Sequence, residues 1–227
     1  MTDLPLRFAN PVTLVGGGTL ARPALDAALS IAPHLVAADG AADVAAAHGL
    51  QPEAIVGDMD SLADPAAWAD RGVPMIEIAE QDSTDFEKCL TAIEAPFFLG
   101  VGFTGRRTDH TLAVFHAMLA RADRPVVLVG EDDVIALVPP RRRLDLSLRI
   151  GAWVSLFPLC PVTGQISEGL RWPVDGLSFC TGAQIGTSNE AVAPDIALGV
   201  DAPGLLIMLQ PEFLQALLRG LGLARAR

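Results

Sequence analysis

Short apolar runs that repeatedly give way to turns and then to helically spaced segments restrict this chain more than any other feature. Val12–Val15, Leu35–Ala38, Ala54–Gly57, Met75–Ala79 and Phe97–Phe103 are such runs. The segments after them, Ala21–Ile31, Gly40–His48, Asp64–Arg71, one through Ile93 and one to about Ala122, have helical spacing. Alternation of this kind predicts a largely parallel sheet covered by helices on both faces. Along the last helix, Leu112, Phe115, Met118 and Leu119 are expected to form the buried stripe. Pro125–Val129 and Val134–Val138 read as two further strands.

After Pro139-Pro140 the pattern changes. Trp153–Pro158, Gly164–Ser167, Leu177–Phe179, Ile196–Val200 and Leu205–Leu209 are β-type segments divided by glycine and proline. They predict a small antiparallel sandwich or barrel. The expected organisation is therefore α/β. Residues 1–140 form a Rossmann-like domain, and residues 141–227 an all-β domain closed by a short helix. That last segment, Pro211–Leu223, carries an apolar stripe of Phe213, Leu214, Leu217, Leu218 and Leu221, expected to cover a neighbouring element or a partner subunit.

Length and composition exclude several classes. A chain of 227 residues with 51% hydrophobic side chains has ample material for a core, and its net charge of −11 disfavours non-specific binding to nucleic acid. No apolar run is long enough to span a membrane, and the N-terminus lacks the layout of a signal peptide. Cys89, Cys160 and Cys180 are too widely spaced for a zinc motif and read as reduced thiols. A soluble cytoplasmic protein is expected.

The chemistry concentrates just after the strands. Ala54–Ser61 ends in Gly57-Asp58-Met59-Asp60-Ser61. In an extended backbone Asp58 and Asp60 would project from one face roughly 6–7 Å apart. Carboxylates so close repel unless a cation joins them. The plainer reading makes them caps of a turn and a helix. Thr84 and Glu87 fit a capping box, which accounts for some of the acids near them but does not require Asp82, Asp85 and Lys88 together. Arg106 and Arg107 stand ahead of a helix start, where free N–H groups and the helix dipole favour anions, and Asp109 suits the first turn. Gly16-x-Gly18-x-x-Ala21 with Asp39 fits a loose dinucleotide-binding fingerprint, or simply a tight turn. Asp39, Asp58, Asp60, Asp82, Asp85, Arg107 and Asp109 all fall along one edge of the predicted sheet. Scattered surface acids would not follow that rule.

In the β part, Gly169-Leu170-Arg171-Trp172-Pro173 and Gly186-Thr187-Ser188-Asn189-Glu190 stand out. On composition alone Trp172 reads as a core residue and Ser188-Asn189-Glu190 as a turn. The alternative is an indole that stacks a flat, cationic ring beside two short polar side chains.

Taken together these motifs resemble thiamine pyrophosphokinases. The resemblance is carried by Ala38-Asp39-Gly40-Ala41-Ala42, Gly57–Ser61, Gln81-Asp82-Ser83-Thr84-Asp85 with Lys88, Arg107-Thr108-Asp109-His110, Gly169–Pro173 and Ser188–Glu190. It implies transfer of diphosphate from ATP to the thiamine hydroxyl, with magnesium, in a homodimer whose active sites lie between subunits. By the same resemblance Asp58, Asp60 and Asp85 would hold the metal, and Arg107 and Asp109 would join them in catalysis. Asp39, Asp82, Lys88 and Arg106 would serve the nucleotide, and Trp172, Ser188 and Asn189 would meet thiamine. This chain departs from the family with Arg106 where a second glycine is usual, with Met59 where phenylalanine is frequent, and with the terminal helix. Competing functions are a nicotinamide-dependent oxidoreductase using the glycine turn and Asp39, and a haloacid-dehalogenase-type phosphatase using Asp58 and Asp60. The phosphatase reading is weakened by Leu62 where Thr or Val is usual. A non-enzymatic nucleotide or thiamine sensor is the binding-module alternative.

Overall fold

In the computed structural model, which describes residues 5–224, the chain divides into two units, with the division between Glu131 and Asp132. In chain order the first unit contains β1 (Leu6–Arg7), β2 (Val12–Val15), α1 (Arg22–Ile31), β3 (His34–Ala38), α2 (Ala41–Ala47), β4 (Ala54–Gly57) and α3 (Pro65–Asp70). It continues through β5 (Met75–Glu77), α4 (Asp85–Ala92), β6 (Ile93–Glu94), β7 (Phe98–Val101), α5 (Thr108–Ala120) and β8 (Val126–Val129). Six strands form a parallel sheet in the order β8-β7-β2-β3-β4-β5, while β1 and β6 make a separate parallel pair. Every residue of β2, β4, β7 and β8 is buried, as expected of strands with helices on both faces. From β2 the chain builds outward through β3, β4 and β5, then returns as β7 on the other side of β2. A reversal of that kind opens a crevice beyond the carboxyl ends of the strands.

Local chemistry sets the helix starts. Asp64 accepts a hydrogen bond from the Ala67 N–H at 3.1 Å, with Pro65 in the first turn of α3. Thr84 and Glu87 form the reciprocal capping box that opens α4. Asp64→Ala should lower the free energy of unfolding by about 1 kcal/mol and leave turnover unchanged, measured by urea denaturation beside an activity assay. Helix α5 differs from the sequence expectation. It buries Val114, Ala117 and Met118, whereas Leu112 is 58% exposed. Apolar residues occur on every side of this helix, so their spacing could not single out the face pressed on the sheet.

The second unit holds β9 (Val134–Leu137), β10 (Leu144–Ser147), β11 (Trp153–Pro158), β12 (Val162–Glu168), β13 (Ser178–Phe179), β14 (Gly186–Glu190), β15 (Asp195–Val200) and β16 (Leu205–Leu209). A 3-10 turn at Pro211–Phe213 leads into α6 (Leu214–Gly220). Antiparallel pairing gives two orders, β14-β11-β16-β9 and β10-β15-β12-β13. Strand β9 belongs here because its antiparallel partner is β16. The β11–β14 register shifts between Val154 and Leu156, and Ser188 in β14 has a φ of 60°. Helix α6 and the turn before it bury Phe213, Leu214, Leu217 and Leu218. The neighbour that α6 covers is β10 of its own unit: a Cβ on Gly220 would stand 2.5 Å from the Asp145 carbonyl. No helix among the described residues is long and apolar enough to cross a membrane.

Candidate active site

Beyond the carboxyl ends of β2, β3, β4 and β7 lies a cleft of about 660 Å³. One wall is almost bare backbone. The Gly16 N–H donates to the Val101 carbonyl at 2.9 Å, and the Gly18 N–H to the Gly102 carbonyl at 2.6 Å. A Cβ on Gly18 would stand 2.5 Å from that same carbonyl oxygen. The glycines of Gly16-x-Gly18-x-x-Ala21 are therefore required by the contact of two loops, a reason independent of any dinucleotide.

The opposite wall carries the acids. Asp39 follows β3 with a φ of 45° and is 1% exposed. Its Oδ2 accepts from the Ser61 N–H at 3.2 Å, while its Oδ1 is buried without a hydrogen-bond partner among the described residues. Gly57 makes room for it, since a Cβ there would lie 2.6 Å from the Asp39 Cβ. Asp58 Oδ1 accepts from the Asp60 N–H at 3.3 Å, and Oδ2 accepts from Gln81 Nε2 at 2.8 Å and Lys88 Nζ at 3.0 Å. Asp60 accepts from the Ser61 hydroxyl at 2.9 Å. One oxygen each from Asp39, Asp58 and Asp60 lie within 4.8 Å of one another.

Lys88, only 3% exposed, sits between Asp58 and Asp85, the latter 3.5 Å away. Its hydrogen bond, followed by that of Gln81, holds the Asp58 carboxyl at a pKa of about 2. Burial pushes Asp39 up, and the charges of Asp58 and Asp60 push it further, against the hydrogen bonds from Ser61. Burial also raises Asp85, with Lys88 opposing. Burial works against the charge on Lys88 itself, but its hydrogen bond to Asp58 and the charge of Asp85 prevail and its pKa rises. The cluster thus offers only oxygen donors, one of them buried with no donor facing it, at distances a single ion can bridge. That is the donor set of a hard divalent cation such as magnesium.

The structure gathers most of the expected residues but not all. Asp39, Asp58, Asp60, Asp85, Lys88 and both arginines line the cleft. Arg106 donates through Nη1 to the Gly17 carbonyl at 3.2 Å. Arg107 is engaged with Asp109, through Nε at 3.1 Å and Nη2 at 2.5 Å. That contact holds the Asp109 carboxyl at a pKa of about 2. Asp109 itself, like the exposed Asp82, is absent from the cleft lining. Gln81 and Ser61, to which the motifs assign no role, bond the acids directly. Nothing local marks them, because their partners are 23 and 22 residues distant for the contacts to Asp58 and Asp39.

In the second unit Trp172 is 56% exposed, which overturns the core reading, and Ser188-Asn189-Glu190 belongs to β14, which overturns the turn. Ser188 is exposed, and its N–H donates to the Ser155 hydroxyl at 3.0 Å. Asn189 is 3% exposed and bonds to the backbone of Trp172. Arg171 pairs with Glu190 at 2.8 Å, and its guanidinium lies 5.8 Å from the Trp172 ring centre.

Comparison with known proteins agrees with this layout. The family model described as the thiamin pyrophosphokinase catalytic domain matches residues 25–128. That of the thiamin pyrophosphokinase vitamin B1 binding domain matches residues 141–203. Among solved structures, thiamin pyrophosphokinase from Candida albicans superposes with a TM-score of 0.76 at 15% identity over 89% of each chain. The yeast thiamin pyrophosphokinase gives 0.74 at 16% identity over 93% of each chain. The thiamin pyrophosphokinase from Geobacillus thermodenitrificans gives 0.71 at 23% identity, covering 88% of this chain and 96% of the other. At these identities the superpositions establish a shared fold.

Proposed function

Because the chain belongs to the thiamin pyrophosphokinase family, we propose that it is a thiamine diphosphokinase whose nucleotide and metal lie in the cleft of the first unit and whose thiamine lies on the second. The observation that carries this is the Asp39–Asp58–Asp60 cluster at the switch point of the sheet, with its orphaned carboxylate oxygen. In the reaction the thiamine hydroxyl oxygen attacks the β-phosphorus of ATP. The bond from that phosphorus to the oxygen shared with the α-phosphorus breaks, AMP departs, and the hydroxyl proton passes to a carboxylate or to water.

Each residue has a definite task in this reading. Asp58 and Asp60, with Asp39 beside them, hold the magnesium, and Asp85 faces the same space. Bound there, magnesium would neutralise phosphate charge and align the ends of the triphosphate. Lys88, buried between Asp58 and Asp85, keeps those carboxylates ionised and oriented. Arg106 has donors beyond the one given to Gly17, and these suit phosphate oxygens. Arg107 reaches the phosphates from its pair with Asp109, so these two act together. Asp82, exposed beside the cleft, serves the nucleotide at most from its rim. Trp172 stacks on thiamine, with the exposed Ser188 at its side. The enzyme works in the cytoplasm as a homodimer with sites between subunits. The exposed Leu112 and Trp172 support such a pairing as surfaces that a second copy would cover.

Incubation of the protein with thiamine, ATP and magnesium tests the reaction. Equal amounts of AMP and thiamine diphosphate are expected by chromatography, and release of ADP or orthophosphate without AMP would refute it. A thermal-shift titration tests the metal site separately. Magnesium at about 100 times its dissociation constant should stabilise the protein by about 2.7 kcal/mol. The shift should shrink in Asp60→Asn, and an equal shift in that variant would remove Asp60 from the ligand set.

A further inference from the structure

The side chain of Asn189 is consumed by the backbone of Trp172. Its Oδ1 accepts from the Trp172 N–H at 3.1 Å and from the Glu190 N–H at 2.8 Å, while Nδ2 donates to the Trp172 carbonyl at 2.7 Å. The segment before Trp172 runs beside the end of β14 and the residues following it. Leu170 bridges Ala191, the Arg171 N–H donates to the Glu190 carbonyl at 2.8 Å, and the Val192 N–H to the Gly169 carbonyl at 2.8 Å. At Trp172 this main-chain pairing gives way to the Asn189 amide, which offers one acceptor and one donor as a peptide group does. An exposed indole on an untethered loop would sample many orientations. Here both polar groups of its peptide are fixed by a side chain that is itself 3% exposed.

From this geometry we infer that Asn189 is a positioning residue, which sets the exposed Trp172 indole for a flat heteroaromatic ligand and does not itself touch that ligand. The inference rests on the proposed thiamine surface and deepens it. Both acceptor sites of the Asn189 oxygen are occupied, and the side chain is sealed from solvent, so recognition falls to the indole and the neighbouring Ser188. Serine or alanine in place of the asparagine cannot span to both Trp172 groups. An aspartate there cannot donate to the carbonyl, and would set a carboxylate oxygen against it.

A mutant cycle in the full chain, assayed with thiamine, ATP and magnesium, decides the matter. Asn189→Ala should raise the thiamine KM about tenfold, the ATP KM and kcat changing less than about twofold. In a Trp172→Ala background the same change should add nothing to the thiamine KM, because the residue acts through the indole. Losses that multiply across the cycle would show that Asn189 meets thiamine directly and would overturn the inference. The three tryptophans, Trp68, Trp153 and Trp172, are also followed by fluorine NMR after 5-fluorotryptophan labelling, with Trp172→Phe assigning the signal. Asn189→Ala should shift or broaden the Trp172 resonance while that of Trp68 stays put, and an unmoved Trp172 resonance would equally overturn it. Asn189→Asp, which keeps the acceptor, provides the same readings should the alanine variant fold poorly. If Trp172→Ala leaves the thiamine KM unchanged, the thiamine surface itself is wrong. The fluorine signal still tests whether Asn189 fixes the indole.

Discussion

Asp58→Asn should lower kcat by at least about a thousandfold while the protein still folds. The two oxygens of Asp58 have different partners. Oδ2 is engaged by Lys88 and Gln81, Oδ1 accepts from the Asp60 N–H, and one carboxylate oxygen of Asp58 lies within 4.8 Å of oxygens of Asp39 and Asp60. An amide keeps the shape but removes the charge. It also presents an NH2 group either to the cation or to Lys88, and neither can accept a hydrogen bond from it. Loss of one anionic ligand weakens charge neutralisation where it develops during transfer, a term worth several kcal/mol in metal-assisted reactions. Turnover by AMP release, with circular dichroism to confirm folding, is the measurement. Activity within about tenfold of the parent would take Asp58 out of the proposed metal site.

Lys88→Met should strongly destabilise the first unit. Methionine fills nearly the same volume but leaves Asp58 and Asp85 without their cation. Removing one partner of a buried pair is expected to lower stability by about 3–5 kcal/mol. The sign of the pH dependence follows from the acids. In the parent the Asp58 pKa is lowered, so its contribution is present above the ordinary carboxylate pKa of about 3.9 and is lost as pH falls toward about 2. Asp39 and Asp85 are raised, so each favours folding most at low pH and loses that contribution as pH rises through the carboxylate range. Without Lys88 the Asp58 carboxyl keeps only Gln81 and the Asp60 N–H to lower it, and Asp85 loses the charge that opposes its burial. The deficit of the variant against the parent should therefore widen between about pH 4 and pH 7 in urea melts. A deficit that is constant across that range would show that Lys88 contributes packing and not charge.

Much of this site was legible in the sequence because its acids sit at positions fixed by local grammar. Asp39 and Asp58 directly follow β3 and β4, and Asp85 opens a helix whose Thr84–Glu87 box is visible in the residue order. Strand ends and helix caps are short-range features, and a parallel sheet brings its strand ends together without further information. What escaped depends on contacts across the fold. The pressure on Gly18 comes from Gly102, and the role of Gln81 from Asp58. Composition makes Trp172 a core residue because large aromatic residues are usually buried, and nothing nearby in the sequence says that the Asn189 amide bonds its backbone. Strand β14 was missed because Gly186-Thr187-Ser188-Asn189-Glu190 is polar, a composition suited to a sheet margin and to few interiors. The face of α5 went wrong for the opposite reason, an excess of apolar residues.

That polar margin has a consequence for how the molecule behaves in company. Strand β14 is the outermost strand of its ribbon among the described residues, and on its outer side the Arg171 N–H bonds the Glu190 end. A flat margin of this kind invites a strand from another molecule to dock and extend the sheet. The displaced register opposite Val154 and the left-handed backbone at Ser188 spoil the straight spacing such docking needs. The kink at Ser188 therefore makes this margin a poor template for strand addition.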